Sequence, residues 1–160
     1  MSATEGPDGD RPNRIPWPPL LYASTLIATW VLSRISPWPL LAEDSPWRSV
    51  GWVVLTVGIA IAVAALVRFR GLGTAVDPTG RASRLATDGI YAWTRNPMYL
   101  GGVLASLGLA FGLGSTWLLL LTPVLAVLLN VLAIRREEAY LERRFGEEYR
   151  RYRGRVRRWV

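Results

Sequence analysis

The chain has 160 residues, 51% of them hydrophobic, with a net charge of +7 and a mean hydropathy of +0.21. That length suits one domain. It contains neither Cys nor His, and all 19 basic residues are Arg, which excludes disulfides, thiolate nucleophiles, histidine bases, Cys/His metal sites and lysine Schiff bases.

Residues 1–14 are polar and rich in Gly, Pro and Asp, the composition of a disordered tail. The apolar run that follows is too long for a cleaved signal peptide. Residues 15–33 are uncharged between Arg14 and Arg34 and form the first expected span, entered through Pro16-Trp17-Pro18-Pro19 with Trp17 as an interfacial anchor. A short loop carrying Glu43 and Asp44 leads to a second span over 49–67. There Gly58, Ala60 and Ala64 are the small residues suited to close helix packing. Residues 68–96 make the one long polar connection, and loops of that length are usually functional or disordered.

Residues 96–134, 39 in all, carry no charge. As one helix they would reach roughly 58 Å, against a bilayer core of about 30 Å. The stretch must fold back, and Gly112-Leu113-Gly114-Ser115 is the obvious turn. That gives spans at 97–112 and 116–134, with Gly108 and Gly112 as a GxxxG pair and Gly102 and Ser106 extending the small face. Asn130, deep in the last span, calls for an interhelical partner. Residues 135–160 form a charged amphipathic tail with Leu141 and Phe145 on one face, suited to a membrane surface. The tail stops at Gly146 and resumes as a second short helix. The expected fold is therefore all-α: a polytopic membrane protein with four transmembrane helices in a single domain, 15–160, and a C-terminal amphipathic cytosolic helix.

Charge orients it. Residues 68–98 hold five Arg against two acids and residues 99–160 ten against five, while 20–67 are neutral. By the positive-inside rule both termini are cytosolic, in a membrane expected to be the bacterial inner membrane. Arg clusters that abut apolar spans suit anionic lipid headgroups rather than nucleic acid. The oligomeric state is left open.

The fold-back brings Arg95-Asn96-Pro97-Met98-Tyr99 and Arg135-Arg136-Glu137-Glu138 to one face. Pro97 suits a first helical turn, Asn96 an N-cap, and the free N–H groups there an anion. Arg95 adds a fork for a carboxylate, and Tyr91, Trp93 and Tyr99 offer aromatic faces. The same residues also suit a plain capped membrane helix with interfacial aromatics. Likewise Glu137 and Glu138 could bind a ligand's hydroxyl or ammonium groups, or serve as solvated partners of the arginines.

Four pieces carry a family resemblance: Leu85-x-Thr87-x-Gly89-x-Tyr91, Arg95-Asn96-Pro97-x-Tyr99-x-Gly101, Glu137-Glu138-x-x-Leu141, and Phe145-Gly146-x-x-Tyr149-x-x-Tyr152. In order and spacing this half of the chain resembles the isoprenylcysteine carboxyl methyltransferase and phospholipid methyltransferase group of integral membrane enzymes. The resemblance implies an S-adenosylmethionine-dependent methyltransferase acting on a lipophilic or small acceptor such as a prenylcysteine-like carboxylate or a thiol; the composition, with few and unclustered carboxylates, leads to no expected metal site. The alternatives are a phospholipid N-methyltransferase or a non-catalytic scaffold of the same fold. Carried over by position, Ser83, Leu85, Tyr91, Asn96, Pro97, Tyr99, Glu137 and Glu138 would bind the cofactor, and Arg95, Tyr99 and Glu137 would be catalytic. Asn96 stands where the prenylcysteine enzymes often have His. Ala133 stands where they place an Arg one turn before the acidic residue.

Overall fold

The computed structural model of the chain describes residues 15–71 and 84–160. The expected tail 1–14, the middle of the 68–96 loop and Ser83 lie outside the described residues. Helix α1 spans Trp17–Ile35, α2 Pro46–Gly71, α3 Pro97–Leu113, α4 Thr116–Leu129, α5 Arg135–Phe145 and α6 Glu147–Arg155. A 3-10 turn, Gly89–Ala92, precedes α3, and a π-turn, Asn130–Ile134, joins α4 to α5 without a break.

Local chemistry explains most boundaries. Prolines stand in the first turns of α1 and α3, where a missing N–H costs little. Gly114, at φ +65°, ends α3 in the left-handed region, and Ser115 accepts the Leu118 N–H to start α4. The fold-back is therefore where the turn residues put it. The charged boundaries are not. Helix α1 runs past Arg34, and α2 includes Arg48, Arg68 and Arg70. A charge at a helix end does not stop the helix, because arginines in the last turn complement its dipole and reach for water along their stems.

Helix α3 packs most closely on α2. A methyl group built on Gly58 would lie 2.5 Å from the Ala105 backbone N, and one on Gly101 would lie 2.7 Å from the Ala62 backbone N. The small α2 residues that matter are thus Gly51, Gly58, Ala62 and Ala65. Ala60 and Ala64, expected on this seam, are exposed, because each step of ~100° around a helix moves a residue to another face. Gly102 also leaves the seam, packing beneath the Tyr22 ring of α1. On the other side of α3, Leu21, Leu125 and Leu129 join α1 to α4, with Tyr22, Tyr99 and Val103 packed against them.

The two loops remote from the 89–96 segment share one end. Leu40 N–H donates to Gly114 O at 2.8 Å, and Trp117 Nε1–H donates to Ser36 O at 2.8 Å. Among the described residues, two helices are long and apolar enough to cross a membrane: α2 and the continuous rod Thr116–Phe145. Their apolar side chains largely face outward, with Val53 62% and Val127 61% exposed. A soluble core helix would bury them.

The tail breaks at the expected residue, and its second helix is partly buried rather than wholly at a surface. Gly146, at φ +52°, breaks it, and α6 turns back so that Tyr149 and Tyr152 are buried. Its partner is the segment before α3.

Candidate active site

At the end of α3 opposite the 113–115 turn, three segments converge: residues 84–96, the start of α5, and residues 149–158. The 3-10 turn buries Tyr91 with Ala65 and Ala86. Arg68 at the end of α2 pairs with Asp88, its Nε–H donating to Oδ1 at 2.8 Å, and so ties the turn to α2. That guanidinium holds the Asp88 carboxyl below its ordinary value.

The tail closes over this turn by main-chain bonds. Tyr152 O–H donates to Tyr91 O at 2.7 Å, and Arg95 N–H donates to Arg157 O at 3.0 Å. Thr94 Oγ1–H and Asn96 Nδ2–H both donate to Arg158 O at 3.1 Å. Burial pushes the Tyr152 phenol up, and that of Tyr149 up to about 12. Both remain neutral at physiological pH.

Charges lie beneath this tail. Glu138 is buried between two guanidiniums. Arg95 Nη2 is 3.1 Å from Oε1, while Arg158 Nε–H donates to Oε1 at 3.1 Å and Nη2–H to Oε2 at 2.6 Å. A buried carboxylate is tolerated only with such pairing. Glu137 points elsewhere, toward α3, and accepts the Tyr99 O–H. Tyr91 is close enough for the Glu137 charge to help raise its phenol, after burial and Tyr152.

The fold thus brings Tyr91, Arg95, Asn96, Pro97, Tyr99, Glu137 and Glu138 together, with Leu85 half-buried in the irregular stretch before the turn. Two details differ from expectation. Asn96 stands at the N-cap of α3 but makes no side-chain capping bond, because its amide is turned to Arg158 O. The Arg95 fork is not open to a ligand carboxylate, since Nη1 already donates to Arg153 O at 3.0 Å and Val156 O at 3.2 Å. Asn130 finds its partner outside the helix bundle: its Oδ1 accepts Arg158 Nη1–H at 3.3 Å. Arg158 itself is legible in no spacing, being one of ten arginines after Tyr99.

A family model described as phospholipid methyltransferase matches residues 47–148. The chain belongs to the phospholipid methyltransferase family. That match takes in nearly all of α2, the whole of α3, α4 and α5, and two of the three converging segments, while residues 149–158 lie beyond it. An uncharacterized protein of Haemophilus influenzae is 43% identical over 63 residues, 39% of this chain and 100% of that one. Protein-S-isoprenylcysteine O-methyltransferase of Schizosaccharomyces pombe is 40% identical over 72 residues, 45% of this chain and 30% of the yeast protein. Among solved structures, the eukaryotic intramembrane Ras methyltransferase ICMT superposes with a TM-score of 0.70 at 21% identity, over 92% of this chain and 53% of that one. The family member shares that helical membrane fold and spans about half the length of the solved protein.

Proposed function

We propose that this family member is an S-adenosylmethionine-dependent methyltransferase that modifies a lipophilic or small acceptor at the membrane surface. The observation carrying the reading is the Tyr99–Glu137 pair, set at the α3–α5 junction beneath the tail. It is supported by family membership and by the match to a segment of the yeast carboxyl methyltransferase.

The residues suit such a cofactor. Glu137 is half-buried and offers a carboxylate for ammonium or hydroxyl groups. Tyr91 and Tyr99 offer aromatic faces to a cation, and Arg95 Nε is a buried donor with no partner among the described residues. Leu85, Pro97 and Asn96 would line the remainder. When bound, the cofactor supplies an electrophilic methyl group on sulfonium. The chain's part is positioning and exclusion of water. Tyr99 O–H fixes the Glu137 carboxylate, Arg95 and Arg158 hold Glu138 so that α5 stays in place, and the tail covers the junction. A carboxylate or thiolate acceptor needs no strong base, which fits a chain without His, Cys or Lys.

Calorimetric titration in detergent tests the reading. S-adenosylmethionine and its demethylated product are both expected to bind with one site per chain. Absence of binding by both would sink the proposal.

In the same reading residues 15–160 are one domain with four spans, α1, α2, α3 and α4, and the site lies on the cytosolic face of the bacterial inner membrane beside anionic headgroups. Loop 36–45 and the 113–115 turn then face the other side. With no native cysteine, single probes report cleanly. A Cys at the exposed Glu43 should react with an impermeant reagent added to intact cells, and one at the exposed Gly154 should not. The reverse pattern would invert the topology.

A further inference from the structure

An arginine near the end of the tail, Arg158, bridges two points on one rod. Arg158 donates to Asn130 Oδ1 and, through a fork, to both oxygens of Glu138. Asn130 opens the π-turn and Glu138 lies in the first turn of α5, so the contact spans the whole irregular stretch. In that stretch Arg135 N–H reaches the carbonyl of Asn130, five residues back instead of four. A π-turn is one extra residue, so it rotates everything after it by ~100° relative to a continuous α-helix. That rotation decides which face of α5 looks at α3. With it, Glu137 meets Tyr99 and Glu138 meets Arg95. Pro123, inside α4, lies too far back to set this phase.

We propose that Arg158 is a positioning residue that locks the π-turn, and thereby the orientation of Glu137 toward the ligand. The inference rests on the methyltransferase reading for its consequence but not for its geometry. Arg158 need not touch the cofactor. Its guanidinium bonds Asn130 and Glu138 at once, one at each end of the irregular stretch, while its carbonyl holds Thr94 and Asn96 at the start of α3. One residue thus sets both walls of the junction. Lysine presents its three donors from one nitrogen and so does not reproduce the planar fork that reaches both partners.

The test uses the full chain in detergent, with S-adenosylhomocysteine as probe. Arg158→Lys and Asn130→Leu should each raise its Kd at least fivefold, Arg158→Ala at least tenfold. The exposed Arg155→Ala, in the same tail, should leave it unchanged. Hydrogen exchange, read on the same variants, should quicken at the amides of Val131–Arg136 and of Arg95 in Arg158→Ala. Lower thermal stability with wild-type Kd and wild-type exchange would overturn the proposal, since that is what a merely structural contact gives. If Arg158→Ala does not fold, Arg158→Lys and Asn130→Leu decide alone, and wild-type Kd in both overturns it. Should the wild type bind no probe, the methyltransferase reading fails, while the exchange pattern still supports or overturns the lock.

Discussion

Glu137→Gln is expected to weaken binding of S-adenosylmethionine by about 1–3 kcal/mol, roughly 5- to 150-fold, the usual cost of losing a charge-assisted hydrogen bond. Glutamine keeps the shape and can still accept the Tyr99 O–H, so the fold should survive and the loss should read as affinity. The contrast is Glu147→Gln. Glu147 is exposed and pairs with Arg150 one turn on, Nη2 to Oε2 at 2.8 Å. That guanidinium holds its carboxyl below the ordinary value, but an exposed pair of this kind contributes little, and it lies on the outer side of α6. Calorimetry on both variants checks the difference. Equal losses would mean that cofactor affinity follows the general charge of the tail, and Glu137 would lose its assigned role.

The largest effect on stability should come from Gly108→Ala. The added methyl carbon would lie 2.2 Å from the Leu55 backbone N and 2.7 Å from both Gly51 O and Leu55 Cα. All three are backbone atoms of α2, so no side chain can swing aside. The helices must separate, and the dispersion contacts along the α2–α3 seam weaken together. Overpacking typically costs 1–3 kcal/mol, and a clash of backbone with backbone belongs at or above the top of that range, about 3 kcal/mol. Gly154→Ala is the control. Nothing lies within 4 Å of its added carbon, and alanine in α6 should stabilise by up to about 1 kcal/mol through helix propensity. Thermal unfolding in detergent, followed by loss of monodisperse protein, separates the two. A Gly108→Ala protein as stable as wild type would refute the close approach.

Both experiments probe places where local and distant information meet. The course of the chain from Pro97 to Ile134 was legible in the residues. A 39-residue uncharged run is too long to cross once, and Gly114 and Ser115 turn it by backbone and capping preferences that act within a few residues. Hence the meeting of Arg95–Tyr99 with Glu137–Glu138 followed from counting. Helix ends set by charge did not hold, because charge marks where a helix meets water rather than where its hydrogen bonds stop. Helical phase was harder still. Ala60 and Ala64 are as small as Ala62 and Ala65, and only the packed orientation of α2 decides which pair touches α3. The roles of the two glutamates were also undecidable from their neighbours. Adjacent carboxylates differ by one step around α5, and a π-turn seated by Arg158 from beyond α6 chooses which one faces Tyr99 and which one is clamped. Ten arginines follow Tyr99 in the sequence, and only the folded tail selects one of them, since the selection depends on a contact spanning 20 residues to Glu138 and 28 to Asn130.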